Sequence, residues 1–236
     1  MRPDRGTAPR LRGEGVITAL ATKRGRAERL VVYVEGARAF DLASAVADRA
    51  GLRVGTTLSE EAQERLLEED APYRARDRAL GWLAVRDRSC HEVAERLRGA
   101  GFAPDVVAET VAWLRDLAYV DDARFAAGYV SAKLRSGWGE RRIRAELHRK
   151  GVDRGLIEGA LEQETSDAGS GVAEGFEAVT DLARRRFGRQ FESDPAGAAR
   201  RLAGFLGRRG YDWDSINAVT RKLTGETAGE GGVPSP

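Results

Sequence analysis

Apolar residues recur at intervals of three and four along most of this chain, the spacing that gathers them on one face of an α-helix. From Pro72 onward the pattern is continuous, as in "PYRARDRALGWLAVR", where Tyr73, Leu80 and Leu83 share one stripe. Before that point, "VITALAT" and "RLVVYVEG" are short runs typical of β-strands, and a third strand follows a turn at Glu35-Gly36. The pattern predicts a mainly α protein with a small β-rich N-terminal segment of three strands.

One short motif occurs three times in the helical part of the chain. It consists of Leu, three residues, Gly and a bulky apolar residue, in "LRGAGFAPDVV", "LHRKGVDRGLI" and "LGRRGYDWDSI". Its glycines are 50 and 59 residues apart. Glycine adopts the left-handed conformation that ends a helix, and the apolar residue after it folds back onto that helix. We therefore expect a positive φ at Gly101, Gly151 and Gly210.

Each motif is predicted to join the second and third helices of a three-helix unit. A supersecondary unit repeated about every 50 residues is typical of tandem repeats that stack into an elongated array. Ser59 is the predicted N-cap of a helix in the leader, and Pro72 lies where the first repeat begins. The predicted organisation is a disordered arm (1–14), a small β-rich leader with helices (15–70), three-helix repeats (71–118 and 119–165), a spacer with a third repeat (166–224) and a disordered tail (225–236).

Composition excludes several classes of function. No stretch of the 236 residues reaches the roughly 18 consecutive apolar residues of a membrane span, and the N-terminus lacks the apolar centre of a signal peptide. We expect a cytoplasmic protein without membrane contact. The one cysteine and two histidines cannot form a disulfide framework or a zinc site. Cys90 and His91 are adjacent, so on a helix they point apart and do not form a nucleophile–base pair. No phosphate-binding loop or catalytic set occurs, and we expect no cofactor and no metal.

Charge is concentrated locally, although the whole chain carries only +2. The segment from Lys133 to Lys150 contains seven basic residues and only two acidic ones, Glu140 and Glu146. On a helical wheel Ile143 and Leu147 share one side, and the basic residues lie opposite. Two alternatives stay open, a partner-binding surface and a merely solvated face, because arginine outnumbers lysine 35 to 4 throughout. Smaller basic clusters occur at 183–189 and 200–209. The candidate partner-binding residues are Arg141, Arg142, Arg144, Arg149 and Lys150.

Trp138 is a sixth candidate. It lies between Gly137 and Gly139 at the start of the basic helix, whereas Trp82 and Trp113 lie within predicted helices. An aromatic residue in this place either anchors a partner or packs into the repeat.

The stretch "LRDLAYVDDARFA", followed by the basic helix from Gly139 to Gly151, resembles the RecX family of bacterial recombination regulators. Ala118 stands where that family usually has glycine. The leader also resembles the family, so the similarity is strong over residues 15–165, while the third repeat matches in pattern only.

The resemblance implies tandem three-helix repeats and a non-enzymatic negative regulator that binds the RecA–DNA filament along its groove, with weak or indirect DNA contact. We expect such a regulator to be a monomer. The alternative from another class is a stand-alone DNA-binding protein, because short helices with tight turns also form helix-turn-helix units. No group of residues favours a hydrolytic enzyme.

Overall fold

The computed structural model describes residues 13–23, 26–166 and 171–225. The predicted arm (1–14), spacer and tail (225–236) lie largely outside these ranges. Within them the fold is mainly α with a small N-terminal antiparallel sheet, which confirms the predicted fold class. The strands are β1 (Gly15–Lys23), β2 (Arg26–Val34), β3 (Ala37–Ala43) and β4 (Thr57–Leu58). The helices are α1 (Ser44–Arg49), α2 (Glu60–Leu83), α3 (Cys90–Gly99), α4 (Pro104–Asp116), α5 (Asp122–Arg135), α6 (Glu140–Arg149), α7 (Arg154–Ser166), α8 (Gly171–Ser193), α9 (Pro195–Arg209) and α10 (Trp213–Thr224).

The leader sheet has the order β3-β2-β1-β4, and all its strand pairs are antiparallel. Glu35 and Gly36 connect β2 to β3 with φ of 50° and 74°, and positive φ at both central residues is the geometry of a tight two-residue hairpin. The core beneath the sheet contains Ile17, Val32 and Leu42, each fully buried. The turn predicted at Glu35-Gly36 is confirmed.

Two predictions about the leader were wrong. The sheet has a fourth strand, β4, which pairs Thr57 and Leu58 with the start of β1. Two residues are too short a run to produce a periodic signal. The helix that begins after Ser59 also does not end before Pro72 but continues as one helix of 24 residues. The helix continues although Pro72 has no N–H to donate. The Arg74 guanidinium donates to the Leu67 carbonyl of the same helix at 3.1 Å.

A buried ion pair fixes α2 to the sheet. Arg29 of β2 donates to Asp70 of α2 at 2.8 Å, and the Asp70 side chain is fully buried. The same carboxylate accepts the Ala43 N–H at 2.7 Å. Asp41 also accepts from Arg29, at 3.2 Å. These bonds satisfy charges that would otherwise be costly to bury.

Three tandem three-helix repeats follow the sheet. Repeat 1 comprises the C-terminal half of α2 with α3 and α4, repeat 2 comprises α5 to α7, and repeat 3 comprises α8 to α10. The described residues form two compact units, one within 1–86 and 96–116 and the other within 87–95 and 117–236. Repeat 2 and repeat 3 each have a core of their own, centred on Ile143 and Leu147 in the first case and on Leu202 and Leu206 in the second.

The three glycine joints have the predicted conformation. Gly101, Gly151 and Gly210 have φ of 86°, 72° and 90°. At each joint, the N–H of the following apolar residue donates to a carbonyl five residues earlier, at 3.1 to 3.2 Å. The glycine N–H donates to a carbonyl three residues earlier, at 2.9 to 3.0 Å. This pair of bonds is the Schellman motif, which satisfies the last carbonyls of a helix.

Candidate partner-binding site

Helix α6 carries most of the predicted partner-binding residues. Ile143 and Leu147 point into the core of repeat 2 and are fully buried. The arginines lie on the other sides of the helix, as the wheel predicts. Gly139 is the N-cap but provides no side-chain cap, so the first N–H groups of α6 need other acceptors.

The joint of repeat 3 provides those acceptors. The N–H groups of Gly139 and Arg141 donate to the carbonyls of Arg209 and Gly210, at 2.9 and 3.2 Å. The backbones approach so closely that a Cβ on Gly139 would lie 2.2 Å from the carbonyl carbon of Gly210. Sequence reasoning missed this role of Gly139, because a close approach between backbones distant in sequence leaves no local periodic signal.

A similar contact attaches repeat 2 to the start of α3. The Ser89 hydroxyl donates to the Lys150 carbonyl at 2.5 Å, just before the Gly151 joint. The Lys150 ammonium pairs with Glu92 at 2.9 Å. Glu92 also accepts the Ser89 N–H at 3.3 Å, while the Ser89 hydroxyl accepts the Glu92 N–H at 3.1 Å. Lys150 is therefore half-buried and engaged within the protein.

Trp138 lies half-buried against the core of repeat 2, and two cations lie close to its ring. The Arg142 guanidinium carbon lies 3.7 Å from the centre of the indole ring, and the Lys133 ammonium lies 4.6 Å from it. Cations over an aromatic face are attracted by its quadrupole. The structure thus brings Trp138 and Arg142 together, but in a stack within the protein.

Arg144 joins α6 to α7. Its Nε donates to both carboxylate oxygens of Glu158 at 3.1 Å, and another of its nitrogens pairs with Glu140 at 3.0 Å. The Arg144 side chain is 38% exposed. Two carboxylates thus neutralise a guanidinium that the wheel places on the open face.

Arg141 and Arg149 are the more accessible of the predicted residues. Arg149 is 69% exposed and pairs with Glu146 on the same helix. Such exposed pairs stabilise a protein by at most about 1 kcal/mol, so this contact is readily exchanged. Arg141 is exposed beside Asp212, the N-cap of α10. We call these two residues the exposed α6 pair.

The surroundings of Arg141 form a cleft between repeats 2 and 3, lined by residues that include Trp138, Arg144, Phe176 and Tyr211. Hydrogen bonds from Ser215 lower the pKa of Asp212, and the charge of Arg141 lowers it further. Burial raises the pKa of Tyr211 to about 12, so its hydroxyl stays protonated. The cleft therefore has charges of both signs and a neutral phenol.

Among the described residues, no group of three or more His, Cys, Asp or Glu side chains could hold a metal ion. None of the helices in that part of the chain is long and apolar enough to span a membrane.

Comparison with protein families matches all three repeats. The first three-helix domain of RecX matches residues 75–114, the second matches 121–161 and the third matches 173–220. The matches follow in order along the chain.

Curated relatives carry the same family name. A regulatory protein RecX from Xanthomonas axonopodis pv. citri is 38% identical over 162 residues, which cover 65% of this chain and 95% of the relative. A regulatory protein RecX from Clostridium acetobutylicum is 24% identical over 215 residues, covering 90% and 98% of the two chains.

Solved structures share the fold. A crystal structure of a regulatory protein RecX aligns with a TM-score of 0.64 at 24% identity, covering 88% of this chain and 99% of that chain. The RecX structure from Lactobacillus salivarius aligns with a TM-score of 0.56 at 22% identity, covering 66% and 97%.

Proposed function

Because this chain belongs to the RecX family of regulatory proteins, we propose that it is a non-enzymatic negative regulator of the RecA recombinase. In this proposal it binds the RecA–DNA filament and inhibits ATP hydrolysis and strand exchange during recombinational DNA repair. It acts in the cytoplasm, as a monomer and without a cofactor.

The observation that carries the proposal is the ordered match of three RecX domains between residues 75 and 220. A regulator built this way offers several surfaces along one chain, and repeated helical units are a common means of contacting an extended partner. RecA is proposed as the partner because the motif "LRDLAYVDDARFA" and the basic helix after it resemble the RecX family.

The exposed α6 pair is the proposed contact in repeat 2. Arg141 and Arg149 lie opposite the buried Ile143–Leu147 stripe, where a partner can reach them. Guanidinium groups bind carboxylates and phosphates through paired hydrogen bonds, so an acidic recombinase surface or filament DNA suits them. Arg144 and Lys150 have carboxylate partners within the protein, and in this proposal they position α6 instead.

A double charge reversal tests the contact. Arg141→Glu with Arg149→Glu replaces attraction by repulsion, and we expect the concentration for half-inhibition of the RecA ATPase to rise about tenfold, equivalent to about 1.4 kcal/mol. The matched control is Arg53→Glu with Arg65→Glu, because both residues are exposed in the leader and the charge change is the same. Arg74 and Arg76 are unsuitable controls, since they pair with Asp70 and Glu109.

Equal losses in the two double variants would attribute the effect to total charge. Full inhibition by the α6 variant, with an unchanged helical circular dichroism spectrum, would mean that the α6 face is only solvated.

A further inference from the structure

Repeat 3 contains a pocket that the proposed function does not use. It opens between α8 and α9 and has a volume of about 350 Å³. Two phenylalanines form its floor and arginines form its rim. Its lining includes Arg186, Phe187, Arg200, Gly204, Phe205 and Arg208.

The rim of this pocket is a concentration of positive charge. Between Arg184 and Arg209 there are eight arginines, opposed only by Glu192 and Asp194. The Arg201 guanidinium donates to Asp194 and Gln190, at 3.3 and 2.9 Å. Arg186, Arg200 and Arg208 are exposed, and no carboxylate of the described residues forms an ion pair with them. This differs from α6, where Arg144 is held by two carboxylates.

The arginines are arranged around one open space. Arg200, Gly204 and Arg208 follow one another at intervals of four residues, so they share one face of α9, with the outer two separated by about 12 Å along the helix. Gly204 has no side chain, and a nitrogen of the Arg208 guanidinium lies over it, 3.5 Å from where a Cβ would be. From α8, the Arg186 guanidinium carbon lies 5.1 Å from the ring centre of Phe205. A guanidinium attracted to an aromatic ring in this way still has N–H donors for a ligand.

Aromatic rings form the floor below these cations. Phe187 is buried, and Phe205 is half-buried with its ring 5.6 Å from that of Phe187 in an edge-on arrangement. Sites that bind single-stranded nucleic acid combine a basic groove with aromatic surfaces and stacked arginines. An acidic protein segment could pair with the cations, but it has no bases to stack on the aromatic rings.

We propose that this pocket binds the phosphodiester backbone of single-stranded nucleic acid. Phosphates recur regularly along a polynucleotide, so one strand offers anions to both Arg200 and Arg208 while Arg186 contacts it from the other helix. The site lies in repeat 3 and does not require a recombinase. The proposal therefore does not depend on the proposed function.

Binding of the full chain to a fluorescent oligothymidylate, followed by anisotropy without RecA, tests the site. In the variant Arg186→Gln, Arg200→Gln, Arg208→Gln we expect binding weakened at least about tenfold and a dependence of log K on log salt less steep by about 2. The matched control is Arg53→Gln, Arg65→Gln, Arg115→Gln, whose residues are exposed on other elements.

A second variant, Gly204→Glu, places a carboxylate between Arg200 and Arg208. A side chain at Gly204 would approach only the end of the Arg208 side chain, at 3.5 Å, so the helix accommodates it. We expect this single change to weaken binding as well, because the new carboxylate competes with phosphate for the arginines.

Wild-type affinity and salt dependence in the triple variant would overturn the proposal. Equal losses in the triple variant and its control would also overturn it, since total charge would then explain the binding. Displacement of the oligonucleotide by polyglutamate at equal charge concentration would assign the pocket to an acidic protein. Equal or tighter binding of a duplex would overturn the preference for a single strand.

Discussion

Replacing the joint glycines by alanine should destabilise the protein by different amounts, although all three glycines have positive φ. A Cβ on Gly101 would meet nothing within 4 Å. A Cβ on Gly151 would lie 2.3 Å from the Cβ and Cγ of His91, and one on Gly210 would lie 2.5 Å from the N and Cβ of Arg142. The first joint is open, and the other two are pressed against the start of another helix.

The expected magnitudes follow from these distances. Alanine in the left-handed region costs about 1–2 kcal/mol, and its stiffer unfolded chain returns about 0.4–1 kcal/mol. The loss of stability for Gly101→Ala is therefore about 1 kcal/mol. At Gly151 and Gly210 the new methyl group must also displace helix α3 or α6, and overpacking of this kind typically adds about 1–3 kcal/mol. Total losses of about 2–4 kcal/mol are expected there.

Urea unfolding followed by helical circular dichroism measures these differences through the midpoint and slope. The expected order of stability is wild type, then Gly101→Ala, then Gly151→Ala and Gly210→Ala. Equal losses at all three joints would refute the argument from close backbone approach, and an unchanged midpoint for Gly101→Ala would refute the argument from positive φ.

Three further predictions concern single positions. Ala118 has a φ of 55° and is exposed, so Ala118→Gly should raise the free energy of unfolding by about 1 kcal/mol, and an unchanged urea midpoint would contradict this. Asp70→Ala should lower the free energy of unfolding by about 3 kcal/mol, because Arg29 would lose its buried partner. A loss as small as that of an exposed ion pair would show that Asp41 alone is a sufficient partner for Arg29. The pKa of the helix N-cap Asp212 is lowered, mainly by hydrogen bonds from Ser215, so its contribution to stability is present above the ordinary aspartate pKa of about 3.9 and is lost as pH falls further. Asparagine does not titrate, so the midpoint of thermal unfolding should fall less for Asp212→Asn than for wild type when the pH is lowered from about 5 to about 2. An equal fall in both proteins would contradict this assignment.

Much of the fold could be predicted because its determinants are local. A glycine followed by an apolar residue sets a Schellman joint within six residues, and the 3.6-residue period identifies the buried face of α6. The same locality explains the errors. Strand β4 has only two residues, and α2 continues through Pro72 although a proline usually ends or kinks a helix.

The candidate site was only partly predictable. The wheel of α6 correctly separates Ile143 and Leu147 from the arginines, but it contains no information about other elements. Arg144 meets Glu158, 14 residues away, and Lys150 meets Glu92, 58 residues away. Ion pairs across such distances depend on how the helices pack, and they decide which cations remain accessible to a partner.

We propose that this chain regulates RecA by acting on its filament. The most direct measurement adds the pure protein to RecA-coated single-stranded DNA and follows ATP hydrolysis and filament length in the same sample. We predict that ATP hydrolysis falls as the protein is added, together with a change in filament length. Unchanged ATP hydrolysis and unchanged filament length at stoichiometric protein would rule out this role in regulating RecA.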